Sequence, residues 1–193
     1  QIEWFKGGQC NITSNCLDRH LETRGDQTAI LWEGNEPGEN KSLTYRQLHR
    51  EVCKFANVLK SHGVKKGDRV SIYMPMVIEL SIAMLACARI GAIHSIVFGG
   101  FSPTALADRI VDSACTIVIT TDGGFRAAKS IPIKANADEA MILAENQGVH
   151  VKTCIVAQRV GEKIPIVMNN GRDVWWHDEM LKADPVCKPE VME

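Results

Sequence analysis

The residues whose types and spacing most directly suggest chemistry lie in one stretch, Asp122-Gly123-Gly124-Phe125-Arg126-Ala127-Ala128-Lys129. Arg126 and Lys129 stand three apart behind a Gly-Gly turn. In a helical turn both side chains face one way. Together they suit a phosphate monoester, Arg offering a planar fork and Lys a point charge. A hydrogen bond to a charged group contributes about 1.5–3 kcal/mol. The competing reading is a solvated surface pair; Lys134 is a further candidate for the same patch. A second loop, Phe98-Gly99-Gly100-Phe101, runs into Ser102-Pro103. Ser102 fits an N-cap and Pro103 the first helical position. Free N–H groups and the dipole at a helix start favour an anion or a polar ligand edge. Glycine there either lets a ligand approach the backbone or supplies the positive φ of a tight β-to-α turn. The pattern is not G-x-G-x-x-G, so the dinucleotide fingerprint is not met.

The remaining candidates are weaker. Asp122 is either a catalytic acid or a turn former that bonds to its own backbone. His94 lies inside an apolar run and reads as a core histidine rather than a base, with no second His or carboxylate at a suggestive spacing. Trp175-Trp176-His177 is a stacking platform or a packing anchor onto a larger protein. Ser14, Ser61 and Ser81 lack the context of a nucleophile elbow. Asn11-Ile12-Thr13 matches a glycosylation sequon formally, but nothing in these residues suggests secretion. No complete catalytic constellation and no metal-ligating pattern emerges.

The elements that must position these loops follow from periodicity. Thr28–Trp32 reads as a short strand and Glu33–Asn40, with Pro37 and Gly38, as a loop. Thr44 with Gln47 fits a capping box. Leu48, Val52, Phe55, Ala56 and Leu59 follow at helical spacing, and Gly63 fits the stop. Arg69–Met74 alternates as a strand ended by Pro75. Val77–Ile90 carries only Glu79 and Arg89 as charges, which predicts a helix buried on most faces and closed by Gly91. Ile93–Phe98 is the next strand. Leu106, Ile110 and Ala114 mark the buried stripe of the next helix. Thr116–Thr121 is a strand, Ala137–Gln147 a helix ended by Gly148, and Val151–Ala157 a strand. Beyond Gln158 the pattern weakens: Gly161–Asn170 reads as loop, Asp173–Leu181 as a short helix, and the last dozen residues have no obvious hydrophobic partner. The order β-α-β-α-β-α-β-α-β predicts an α/β fold, doubly wound, with a mainly parallel sheet and helices on both faces. Both glycine loops then leave the sheet at the edge where such folds bind ligands.

Bulk properties narrow the class. The chain has 193 residues and a net charge of −1, with 45% hydrophobic and 23% charged residues. That composition is ordinary for a globular domain. The charge gives no pull toward nucleic acid or an anionic membrane, so any anion site must be local. Seven scattered cysteines without C-x-x-C argue against a disulfide framework or a zinc site and suit a reducing compartment. No run approaches the roughly 20 apolar residues of a membrane span. The sequence starts at Gln1 and ends at Val191-Met192-Glu193, and both ends read as cut from something longer.

Several blocks occur in a telling order: Trp4-Phe5-Lys6-Gly7-Gly8, Asn15-Cys16-Leu17-Asp18-Arg19-His20, Trp32-Glu33-Gly34, Leu43-Thr44-Tyr45, Met84 through Ala92, and Phe98-Gly99-Gly100-Phe101-Ser102. With these blocks the chain resembles, over essentially all its length, the N-terminal part of the AMP-forming acetyl-CoA synthetases (acetate–CoA ligases) of the adenylate-forming superfamily. The resemblance implies a ligase that joins acetate to CoA through acetyl-AMP, with ATP and CoA as substrates and Mg²⁺ as the metal. It implies that Phe98, Gly99 and Gly100 contact the nucleotide end of CoA and that Arg126 and Lys129 meet its 3′-phosphate. Ala127-Ala128 departs from the family, where small residues, often including glycine, are usual. The phosphate loop, the ATP and Mg²⁺ sites, the acetate pocket and the catalytic lysine are expected outside these residues, so the fragment is expected to be inactive alone. On this reading residues 1–40 form an extension, 41–158 an α/β subdomain, and 159–193 a segment leading to the ATP-binding core. Partners are the small-molecule substrates and the remainder of the same polypeptide, without nucleic acid or membrane. The expected compartment is the cytoplasm, with nucleus, mitochondrion and plastid open. A propionyl-CoA or other short-chain acyl-CoA synthetase, and a non-catalytic CoA-binding or interaction module, are the alternative readings.

Overall fold

A computed structural model describes residue 2, residues 4–127 and residues 129–193. Five parallel strands form the central sheet: β3 (Arg69–Met74), β4 (Ile93–Phe98), β5 (Ile117–Thr121), β8 (Thr153–Ala157) and β9 (Asp173–Trp175), in the order β4-β3-β5-β8-β9. Helices α3 (Tyr45–Ser61), α4 (Ile78–Arg89) and α7 (Trp176–Lys182) contribute to the hydrophobic core on one face. Helices α5 (Pro103–Ser113) and α6 (Ile133–Glu145) build the core on the other. The doubly wound architecture is therefore as expected. The strand leading out of β3 goes first to one side, β4, and the next crossover returns past β3 to β5. The connections therefore reverse direction between β3 and β5, which is where such sheets open a ligand crevice.

Local signals explain much of this. The Thr44 hydroxyl accepts from the Gln47 N–H and the Gln47 side chain accepts from the Thr44 N–H, completing the capping box. Gly63 follows the helix at φ +85°, the left-handed stop that glycine adopts without strain. Ser102 caps α5 and Pro103 starts it. In α4 no residue is fully exposed, as its sequence predicts.

Two small antiparallel hairpins flank the sheet. β1 (Thr28–Glu33) pairs with β2 (Asn40–Thr44), and β6 (Gly124–Arg126) with β7 (Lys129–Ile131). The Thr28 strand thus belongs to a separate hairpin, and its partner β2, a largely exposed strand of mostly polar residues, gave no apolar alternation to read. Several other expectations change. Helix α6 starts at Ile133, four residues before Ala137. Ala114 is an exposed C-cap at φ +48°, so the buried stripe of α5 is Leu106, Ala107 and Ile110. β4 is an edge strand with Ile93, Ile96 and Phe98 exposed. His94 on it is half-buried and its Nδ1 has no hydrogen-bond partner, so it is not a satisfied core histidine. Asp173–Trp175 is strand, and only the helix from Trp176 onward matches the expectation.

Trp176 stacks on Phe55 of α3, ring centroids 3.7 Å apart, so it anchors α7 to this chain's own core. The end of the chain is also held: Cys187 is buried, Cys10 bridges Met192, and the Glu190 N–H donates to the Arg89 carbonyl. Arg89 is nearly inaccessible. Its guanidinium donates to both Asp18 oxygens (2.8 and 2.9 Å), to Thr13 Oγ1 (3.2 Å) and to the Cys187 carbonyl (2.6 Å). One buried charge thereby ties α4 to the short helices α1 (Ile12–Cys16) and α2 (Leu21–Arg24) region and to the C-terminal segment. Asn11, the sequon residue, caps α1 and donates through Nδ2 to the carbonyls of Ala88, Arg89 and Glu190. Cys53 and Cys87 lie in the core under α3 and α4, and Cys115 and Cys154 in the core under α5 and α6. All seven thiols are free, with Cys10 and Cys16 exposed. Among the described residues no helix is long and apolar enough to cross a membrane.

Candidate functional site: a cleft at the C-terminal sheet edge

A cleft of ≈ 300 Å³ opens at the C-terminal ends of the strands. Its walls come from every loop that leaves that edge near the reversal point: Pro75 and Met76 after β3, Phe98-Gly99-Gly100 after β4, Gly124-Phe125-Arg126 after β5, and Arg159 after β8. Trp32 of the β1–β2 hairpin closes the side. The two glycine loops singled out in the sequence thus line one cavity. Its surface is aromatic and aliphatic, with Arg126, Arg159 and Glu33 as its charged groups. Arg159 is paired with Glu39, which leaves Arg126 as the cation open to a ligand.

Neither Gly99 nor Gly100 has positive φ, nor do Gly123 and Gly124. Their function is close approach. A Cβ on Gly99 would lie 3.0 Å from the Met74 backbone carbon at the end of β3, and one on Gly100 would strike the Phe98 ring at 2.6 Å. Phe98 is 61% exposed and meets Phe101 edge-on at 5.9 Å, leaving ring surface open beside the cleft. Buried Tyr73 fixes this loop from below by donating its hydroxyl to the Phe101 carbonyl at 2.7 Å. The helix start plays no part in the cavity: its walls end at Gly100, and the Ser102 hydroxyl takes the Ala105 N–H.

The Arg126 segment is not a helical turn. Arg126 and Lys129 are cross-strand partners at the tip of the β6–β7 hairpin. Directly opposed residues of an antiparallel pair share a face, roughly 5 Å apart at Cβ, so the two cations still converge. Both are exposed, and neither has a carboxylate partner among the described residues. Two like charges so placed repel unless an anion joins them. Ala127, the first turn residue, sits at φ +51°, a left-handed conformation more natural to glycine. Ala128 lies outside the described residues.

Three sequence candidates leave the site. Asp122 is buried and accepts from the N–H groups of Gly123 (2.7 Å), Arg159 (2.7 Å), Val160 (3.0 Å) and Gly161 (2.8 Å). It staples the end of β5 to the loop after β8, so the turn-forming role holds and no oxygen is free for proton transfer or a cation. Lys134 does not extend the Arg126 patch. It is fully buried and pairs with Asp138 (2.7 Å) and Asp173 (2.8 Å). Trp175 and His177 stack on each other at 5.4 Å away from the cleft, which neither lines. Among the described residues no group of three or more His, Cys, Asp or Glu could hold a metal ion.

Arg159 is a member of the site that sequence spacing does not reveal. Its guanidinium pairs with the Glu39 carboxylate through both nitrogens and lies over the rings of Trp32 (5.1 Å) and Phe125 (4.9 Å). The Arg159 bond, with help from the Asn35 and Glu36 N–H groups, holds the Glu39 carboxyl at about 2. Nothing short-range in the sequence signals this group, because its members come from three loops.

A profile of the AMP-binding enzyme family matches residues 17–190. The chain belongs to that family. It is 60% identical over 192 residues to an acetyl-coenzyme A synthetase of Desulfatibacillum aliphaticivorans, and 57% identical to those of Mesorhizobium japonicum and Yersinia pestis. Each alignment covers 99–100% of this chain and 29% of the relative. The chain thus spans under a third of the length of those curated relatives. In this AMP-binding enzyme segment the α/β fold and the family resemblance read from the sequence both stand.

Proposed function

We propose that this chain forms the N-terminal part of an AMP-forming acetate–CoA ligase and supplies one wall of its CoA site. In that reaction acetate attacks the α-phosphorus of ATP, giving acetyl-AMP and pyrophosphate. The CoA thiol then attacks the acetyl carbonyl, and AMP leaves as acetyl-CoA forms. ATP, its Mg²⁺ and the acetate pocket belong to residues outside this chain, so the segment alone does not adenylate acetate. The observation that carries the reading is the Arg126–Lys129 pair, without a carboxylate partner among the described residues and beside an aromatic-lined cleft, in a chain 60% identical to an acetyl-coenzyme A synthetase. The two cations hold the 3′-phosphate of CoA. Gly99 and Gly100 let the nucleotide approach the backbone, and Phe98 offers a ring face beside it. The α/β subdomain begins near residue 41 and runs past residue 158 through α7, because β9 completes its sheet and Trp176 and Met180 pack in its core; residues 1–40 form an extension before it. The ligase works in the cytoplasm, where its free cysteines stay reduced.

The test is kinetic. In the ligase carrying this chain, Arg126→Ala raises KM for CoA by roughly ten- to a hundredfold, as loss of a charge-assisted hydrogen bond predicts. KM for ATP stays unchanged, and dephospho-CoA is affected far less than CoA. An equal loss with both CoA forms overturns the phosphate assignment.

A further inference from the structure

We propose that Arg159 is a positioning residue: clamped by Glu39, it braces the β6–β7 hairpin against the β1–β2 hairpin and so fixes where Arg126 and Lys129 stand. Its link to catalysis rests on the CoA reading above; the brace itself does not.

The hairpin needs such a brace. Each of its strands has only three residues, too few for independent stability in water. Its turn carries Ala127 at positive φ, and its terminal pair is two like charges. All of these favour opening. What holds it is Phe125, half-buried on the strand that ends in Arg126. Arg159 lies over that ring at 4.9 Å, and the Lys163 ammonium lies 4.9 Å from its centroid. Cation–π contacts of this kind strengthen as they lose water.

Arg159 is itself held at both ends. Its backbone N–H donates to buried Asp122 at the base of the hairpin. Its guanidinium forms a two-pronged pair with Glu39, a geometry available to Arg and not to Lys. Glu39 is fixed in turn by the Asn35 N–H at 2.8 Å. The other face of the arrangement is Trp32, whose ring lies 5.1 Å from the Arg159 carbon and whose indole N–H donates to the Met76 carbonyl at 2.8 Å. The chain of contacts thus runs from the loop after β3, through Trp32 and Arg159, to Phe125 and the adjacent Arg126. Three separate loops share one guanidinium, and the cation pair inherits its position from it.

The test uses the full ligase with Arg159→Ala, Arg159→Lys and Glu39→Gln, read by hydrogen exchange and by kinetics. With Arg159→Ala, amides 124–131 exchange faster while those of β5 and β8 keep their protection. KM for CoA rises on the order of tenfold with kcat nearly unchanged. Arg159→Lys, which keeps a cation over the rings, restores part of both effects. Glu39→Gln moves both in the same direction by less, and it carries the test if Arg159→Ala does not fold. Faster exchange without any change in KM for CoA leaves the brace standing and sinks the CoA reading of the hairpin. Unchanged exchange at 124–131 in both Arg159→Ala and Glu39→Gln overturns the brace, whatever the kinetics.

Discussion

Lys129 and Lys134 lie close in sequence and end in opposite surroundings. Lys129 stands exposed opposite Arg126, with no carboxylate to meet among the described residues. Lys134 is fully buried against Asp138 and Asp173, and Arg172 completes a four-charge cluster where α6 meets β9. Burial opposes ionisation of Asp173, yet its hydrogen bonds from Arg172 and Lys134 hold its carboxyl below the ordinary range. That network is internally neutral and satisfied, so it has no reason to bind anything. The hairpin pair is electrically incomplete. The contrast teaches that a candidate anion site is marked by the cations the fold leaves without partners, not by cations as such.

Four measurements would break or sharpen the contrast. The largest effect belongs to the buried cluster: Lys134→Met strands carboxylates in the interior and lowers unfolding stability by about 3–5 kcal/mol in urea denaturation. Next comes Gly99→Ala. The added methyl presses on the backbone of β3 and costs about 1–3 kcal/mol. A neutral result there would show that the loop gives way to the added methyl.

The third effect is a pH slope at the Arg89 cluster. Burial and the neighbouring Arg89 charge push the His49 imidazole down from 6.5, despite the Asp18 carboxylate 3.3 Å away. Asp18 is also held low: burial opposes this, but Arg89 outweighs it. A depressed histidine leaves stability intact above its unfolded value and removes it as pH falls. The His49 contribution is therefore constant above about pH 6.5 and declines below it, where the unfolded chain takes up the His49 proton first. His49→Gln should flatten the upper part of that decline, down to the acid range where Asp18 takes over. The smallest effect is at the hairpin: Arg126→Ala changes stability by no more than about 0.5 kcal/mol, in either direction, while still weakening CoA. A loss as large as that of Lys134→Met would place Arg126 in the fold rather than the site.

Much of this is legible in the sequence. The capping box at Thr44 and Gln47, the Ser102-Pro103 start and the stops at Gly63 and Gly91 are local chemistry, and each element they bound is present. Both glycine loops were placed at the right edge, because alternation of strand and helix dictates parallel strands. The hairpin was misread because three-residue strands carry no periodicity, and Arg-x-x-Lys satisfies a helical turn as well as a cross-strand pair. Lys134 was misplaced because a lone lysine reads as solvent-facing until distant Asp173 is brought beside it. Arg159 was invisible for the same reason: its meaning lies in Glu39, Trp32 and Phe125, which only the fold assembles.

The buried cysteines have a practical use. Burial pushes the thiols of Cys87 and Cys154 up to about 12, so an alkylating reagent, which needs the thiolate, reacts with them only when the protein opens. Cys53, Cys87 and Cys187 sit in one core and Cys115 and Cys154 in the other. The rate at which each group takes up label is then a clock for its own side of the sheet, supplied by the native cysteines. With the exposed Cys10 and Cys16 blocked first, two such clocks in one molecule show whether its two layers come apart together or in turn.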